Sequence, residues 1–252
     1  MRFASLGSGS KGNATLVQAG DTLLMIDCGF SLRETTRRLA RLGLEPAQLD
    51  AILVTHEHTD HSSGVAILSR KHQIPVYLTH GTFGSGRCDN CFSTRPVGLN
   101  QRFSIGAVEV QAIAVPHDAR EPCQYRFFYQ GKSLGVLTDL GSITPHVVDS
   151  YRSCDALVLE FNHDRQLLQN GVYPHHLKRR VGGDWGHLNN MQAAALLDKI
   201  HHAALRHLVV AHVSENNNSR QHAEKALLSV LESLDDVVWA DQGEGFDWLV
   251  LD

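Results

Sequence analysis

Ala51-Ile52-Leu53-Val54-Thr55-His56-Glu57-His58-Thr59-Asp60-His61 changes character halfway along. Its first four residues are an unbroken apolar run, short enough for a strand buried on both faces. The run then gives way to four groups that can ligate a metal: His56, His58, Asp60 and His61. Imidazole nitrogen and carboxylate oxygen suit Zn, Mn or Fe, and two overlapping pairs on one tight loop can face two adjacent ions. A helix-capping loop, with Asp60 as N-cap and the histidines solvated, explains any one of these residues. It does not explain all of them together at the end of a buried strand.

Three ligands per ion and a bridging group require more residues, and these should come from other strand ends. Apolar stretches at 22–27, 50–55, 75–79, 107–115, 124–129, 133–139, 156–161, 207–213 and 246–251 read as strands. Three of them lead to a ligand type. His117 follows Ala114-Val115-Pro116, Asp139 follows Leu134-Gly135-Val136-Leu137-Thr138, and His212 follows Leu208-Val209-Val210-Ala211. A lone histidine at a strand end is ordinarily a hydrogen-bonded structural residue; the shared placement of these three raises them all. Val108, Val110, Ala112 and Ala114 alternate with Glu109, Gln111 and Ile113, which gives that strand one better-buried face. Ala193, Leu196, Leu197 and Ile200 recur at helical spacing, as do Ala223, Ala226, Leu227, Val230 and Leu231. Such stripes cover a sheet. Strands arriving before and between helices predict a layered α/β arrangement with functional groups on loops at strand ends.

Composition sets bounds on this reading. With 42% hydrophobic and 20% charged residues the chain is an ordinary folded protein rather than a fibrous or disordered one. The absence of an internal repeat or long linker makes one domain over 1–252 the expectation. No secretory signal or membrane-length apolar run stands out, so a cytoplasmic location with no membrane partner is expected. Five cysteines, an odd number and mostly scattered, do not form a disulfide framework. A formal charge of −4 excludes a wholly basic coat for nucleic acid and leaves room for a local patch facing phosphates. The 16 histidines are the compositional sign of metal.

The segment 55–61 resembles the signature loop of the metallo-β-lactamase superfamily, and the later His, Asp and His follow in that family's order. The resemblance implies an α/β fold of the four-layer αββα sandwich type. It implies two divalent metal ions (Zn, Mn or Fe), with His56, His58 and His117 on one, Asp60, His61 and His212 on the other, and Asp139 bridging. Asp27, in Met25-Ile26-Asp27-Cys28-Gly29, matches an early aspartate that orients the signature loop from behind. Further motifs resemble the small, single-domain YycJ/WalJ-like branch, whose members are regarded as DNA exonucleases. These are Leu6-Gly7-Ser8-Gly9-Ser10-Lys11-Gly12-Asn13-Ala14, Pro116-His117-Asp118-Ala119, Glu160-Phe161-Asn162-His163-Asp164, Gly186-His187-Leu188-Asn189-Asn190 and Ala211-His212-Val213-Ser214-Glu215-Asn216-Asn217. The branch implies a phosphodiesterase acting on DNA ends in a 5′–3′-exonuclease-like manner, with Asp60 and His187 catalytic. The chain departs from the branch at Glu121-Pro122-Cys123-Gln124-Tyr125 and at an insertion, Cys88-Asp89-Asn90-Cys91.

Around this core the readings divide. His187, in a Gly-His turn, either assists departure of the leaving oxygen or simply shapes a helix entry. Glu160 and His163 are expected behind the ligands, and Asn189 as a helix N-cap. Lys11 and Asn13 in the Gly/Ser loop, and Ser214, Asn216 and Asn217 beside His212, either meet a substrate phosphate or form turns. Lys178, Arg179 and Arg180 are the preferred backbone-phosphate contacts. Arg33, Arg37 and Arg41, with Arg38 beside them, read as a solvated helix face. Competing functions are a small-molecule phosphodiesterase or thioester hydrolase on the same fold, and a metal-binding regulator without catalysis.

Overall fold

Leu23, Leu24, Met25 and Ile26 are all buried, a continuous apolar run where a one-sided strand would alternate. Both faces of their strand are covered. Leu24 and Ile26 meet Val110, Phe127 and Val158 in one core, whereas Leu23 and Met25 meet Leu39, Val65 and Leu68 in another. In the computed structural model, which describes residues 1–252, this division runs through the molecule and defines four layers.

The strands are β1 Arg2–Gly7, β2 Ala14–Ala19, β3 Thr22–Ile26, β4 Ala51–Leu53, β5 Pro75–Thr79, β6 Ser93–Val97, β7 Arg102–Ile105, β8 Val108–Ala114, β9 Cys123–Tyr129, β10 Lys132–Leu137, β11 Ala156–Glu160, β12 His207–Ala211, β13 Val237–Trp239 and β14 Phe246–Val250. The helices are α1 Leu32–Arg41, α2 Thr59–Ser62, α3 Val65–His72, α4 His80–Phe83, α5 Pro145–Tyr151, α6 Arg165–Asn170, α7 His175–Val181, α8 Asn190–Ile200 and α9 Arg220–Leu227. One sheet has the order β14-β1-β2-β3-β4-β5-β6 and the other β13-β12-β11-β10-β9-β8-β7. Both follow the same plan. Four strands of each pair antiparallel, β14-β1-β2-β3 in one sheet and β7-β8-β9-β10 in the other, and three more continue in parallel, from β3 in the first and from β10 in the second.

The inter-sheet core runs from Phe3 near one terminus to Leu251 at the other, so the chain folds around it as one αββα domain. Residues of α1 and α3 cover the outer face of the first sheet, and residues of α5, α8 and α9 cover that of the second. Open sheets with parallel strands collect their functional groups at the strands' carboxyl ends. Here those ends are Asp27 after β3, the 55–61 segment after β4, Asp139 after β10, Glu160 closing β11 and His212 after β12.

The expected strands form with trimmed ends, and the trimming has a cause. Thr55 leaves the ladder because its N–H donates to Asp27 Oδ1 at 2.8 Å. Asp27 and His212 have φ of 59° and 52°, left-handed conformations that end a strand. Within β8, Ile113 rather than Ala114 is fully buried, because it reaches the helix-covered core while Val108, Val110 and Ala112 face the other sheet. The stripe 223–231 is helical only to Leu227; Val230 and Leu231 still pack against the same core from the turn beyond. Arg38 corrects the reading of α1 as a solvated basic face. It is buried beneath the helix, stacks 4.1 Å from the Phe30 ring centre and donates to the carbonyls of Leu6 and Gln242. Arg41 likewise reaches Ser5 O and pairs with Asp247. No helix is long and apolar enough to cross a membrane.

Candidate metal centre and active site

The polar segment after β4 is held on a backbone lattice. Asp60 O accepts from Asn13 N at 2.8 Å, His61 O from Cys28 N at 2.7 Å, and Cys28 O from Gly64 N at 2.8 Å. A Cβ on Gly29 would lie 1.8 Å from Asp60 O, so glycine permits this approach. The N-cap position of α2 falls on His58, not Asp60, and no side chain caps it. Asp60 is thereby free to face the cavity.

The seven expected ligands converge. His56 Nε2 lies 3.0 Å from His58 Nδ1, which lies 3.3 Å from His117 Nε2, and the three form one ligand set. Asp60, His61 and His212 form a second, with Asp60 Oδ2 3.4 Å from His61 Nε2 and 3.7 Å from His212 Nε2. Asp139 stands between the sets. Its Oδ2 is 3.2 Å from His61 Nε2, and its Oδ1 is 3.6 Å from His212 Nε2 and 3.8 Å from His117 Nε2. Asp139 Oδ2 and His212 Nε2 are buried and have no hydrogen-bond partner. Buried polar atoms are normally satisfied, so two orphans aimed into one cluster mark the place of a cation.

Charge tells the same story. Burial alone would neutralise Asp139, yet the imidazoles of His212, His61, His56 and His117 hold its carboxyl well below the usual range. Burial also opposes ionisation of Asp60, and His61 and His212 outweigh it. His212 is pushed up to about 9 by Asp139 and Asp60 against its burial, while burial takes His117 down to about 4. Without a cation, buried carboxylates can be balanced only by protons on some imidazoles. The donor set and its charge fit divalent metal.

Support lies behind the ligands. Asp27 Oδ2 accepts from Thr55 Oγ1 at 2.8 Å and lies 2.7 Å from His61 Nδ1. Thr55 Oγ1 in turn sits 2.9 Å from His56 Nδ1. His117 Nδ1 donates to Gly186 O at 2.9 Å. Asn162 Nδ2 donates to His212 O at 3.0 Å, and His163 Nδ1 lies 3.3 Å from Asn162 Oδ1. Thr55, Asn162 and Gly186 escaped the sequence reading because their contacts are made with distant segments. The left-handed backbones of Asp27 and His212 place strain at the site, as function often does.

Glu160 and His187 make a pair. Glu160 Oε1 accepts from Leu140 N at 2.7 Å and Leu188 N at 3.2 Å, leaving Oε2 3.1 Å from His187 Nδ1. Burial raises the Glu160 carboxyl and takes His187 down to about 4. His187 lines the cavity over the cluster, 3.6 Å from Asp139 Oδ1. That cavity is about 550 Å³ and also presents His58, Asp60, Tyr173 and Arg180.

The expected substrate contacts separate. Arg180 reaches the cavity and pairs with Asp118, the residue beside His117. Lys178 and Arg179 lie on another face of α7, around a second cavity with Arg165 and His175. Asn13 is buried, donates to Gly9 O at 3.1 Å and lies 3.1 Å from His61 Nε2, so it supports the metal loop. Lys11 extends into solvent and pairs with Glu215 at 2.6 Å. Ser214 and Asn217 are buried and bonded to one another through Asn217 N and Ser214 Oγ at 3.2 Å, which makes them a turn. Asn216 donates to Tyr173 Oη at 3.2 Å on the cavity wall. Asn189 caps α8 by accepting from Gln192 N.

Residues 22–213 match the model of the β-lactamase superfamily domain. The chain is 33% identical over 238 residues to exodeoxyribonuclease YycJ of Bacillus anthracis, covering 92% of this chain and 89% of that one. It is 31% identical over 258 residues to exodeoxyribonuclease WalJ of Streptococcus pneumoniae, covering 100% and 93%. In three dimensions it resembles the metallo-β-lactamase fold protein YhfI of Bacillus subtilis, with a TM-score of 0.75, 17% identity and 98% of each chain covered. With a family model spanning most of its length and relatives matched almost end to end, the chain belongs to the β-lactamase superfamily.

Proposed function

We propose that this protein is a dinuclear metal-dependent phosphodiesterase that removes nucleotides from DNA ends. The observation that carries the reading is Asp139, a buried carboxylate with an orphaned oxygen set between two three-residue ligand groups. His56, His58 and His117 would hold one ion and Asp60, His61 and His212 the other, with Asp139 shared. When bound, two such ions lower the pKa of water and offset charge on phosphoryl oxygens. The chain's own groups do the rest. Asp60, whose side chain is 24% exposed to the cavity, can take the proton of the attacking water. Burial favours the protonated form of Glu160, which can pass its proton to His187 Nδ1 as the Nε2–H of the neutral ring gives its own to the leaving oxygen. Lys178 and Arg179 can hold backbone phosphates outside the cavity, with salt-dependent strength.

DNA as substrate rests on the relatives named exodeoxyribonuclease and on the phosphodiester chemistry of the site. Purified protein loaded with Mn or Zn should release nucleotides from end-labelled duplex or single-stranded DNA. Turnover of a model phosphodiester or a glutathione thioester, with DNA left intact under every metal, would replace this reading with the small-molecule one.

A further inference from the structure

Residues 120 and 121 pack against α4, the helix that leads towards Cys88-Asp89-Asn90-Cys91. Thr79 Oγ1 donates to Glu121 O at 2.7 Å, and Gly81 N donates to the Glu121 carboxylate. At the other end of α4, the Arg120 guanidinium donates to Gly84 O. Residues 120 and 121 thus clamp both ends of the short helix that leads into the cysteine segment. That segment is anchored from beneath as well. Cys88 is fully buried in the core under α3, Phe92 N donates to Ser69 Oγ at 3.0 Å, and Arg70 donates to Asn90 O at 3.0 Å. Between these anchors Ser85 and Arg87 are turned to the wall of the metal cavity.

Arg87 is exposed and its guanidinium makes no hydrogen bond or ion pair within the protein. Arg120 spends one donor on a carbonyl and has no acidic partner; its own backbone N–H, not its side chain, meets Glu57. Arg180 enters the same cavity from α7, paired with Asp118. Three guanidinium groups from three separate segments therefore rim a cavity whose floor is the metal cluster, and two of them carry uncompensated charge. Arginine's fixed fork of donors suits phosphate oxygens.

We infer that Arg87 and Arg120 contact the phosphodiester backbone of the nucleic-acid strand entering the cavity. The inference rests on the proposed nuclease reading but is tested by binding. Metal-loaded protein is titrated into a fluorescein-labelled phosphorothioate decathymidylate, which resists cleavage, at several salt concentrations. Arg87→Ala should weaken binding about tenfold and reduce the slope of log affinity against log salt by about 0.7, the single-strand value for one phosphate contact. Arg87→Lys should keep the slope, Arg120→Ala should resemble Arg87→Ala, and Arg102→Ala, which removes an exposed arginine of β7 paired with Glu109 of β8, should match wild type. Wild-type affinity and slope in Arg87→Ala, or no binding by wild type, overturns the inference. Arginine-dependent binding with no nucleotide release from ordinary DNA leaves the rim standing and removes the nuclease reading alone.

Discussion

Asp27 and His187 act at different points of the site, and single substitutions should separate them. Asp27 touches no ion position; it receives Thr55 and holds the ring of His61, which must present Nε2 inward. Asp27→Ala should weaken metal affinity about 10–100-fold, read by competition with a chromophoric chelator. Unchanged affinity would show that the signature loop orients itself. His187→Ala should lower kcat about 10²–10⁴-fold with metal content unchanged, because its proton and not its ligation is lost. Loss of metal in that variant would instead make His187 a ligand, a role its 3.6 Å approach to Asp139 allows geometrically. The histidines and aspartates that converge on the cavity were legible in the sequence because they follow apolar strands. Asn13, Ser214 and Asn217 were not, because a polar residue beside a ligand looks alike whether it faces substrate or supports the loop. Only burial tells the two apart.

At the level of elements, the sequence showed β3, β4 and β11, whose faces are both covered and whose apolar runs are unbroken. It hid β6, β7 and β13, which lie at sheet edges and are half exposed, and β1 with β2, whose hairpin reads as a Gly/Ser loop. It also hid the staple beneath α1. Glu34 binds Arg38 at 2.7 Å, and Arg38 reaches β1 and the 242 turn. Hydrogen bonds from Arg37 and Arg38 lower the Glu34 carboxyl to about 2, below its ordinary 4.5. Because the folded value is the depressed one, this contribution to stability is present above pH 4.5 and disappears as pH falls through about 2. Glu34→Gln should therefore be less stable than wild type in urea at pH 7, with the gap closing towards pH 2. A gap that is constant across this range would mean that the carboxylate's charge is immaterial.

For the molecule as a whole, two sheets built on one plan bring ligands from both halves of the chain onto a single edge. His56, His58, Asp60 and His61 come from the first sheet, and His117, Asp139 and His212 from the second. Ions held there would tie the sheets together, and their removal would leave buried carboxylates to be balanced by protons. Chelation should lower Tm by about 10–20 °C, the shift expected when two ions, each at a hundredfold excess over its Kd, are withdrawn from a protein of this size. An unmoved Tm would mean that the cluster is stable empty. Two ions acting together in phosphodiester cleavage can be counted by adding Mn or Zn stepwise to metal-free protein while following nucleotide release from end-labelled DNA. Activity should rise until two equivalents per chain are bound and then level off; a plateau at one equivalent, or no release at any ratio, would contradict two-ion action.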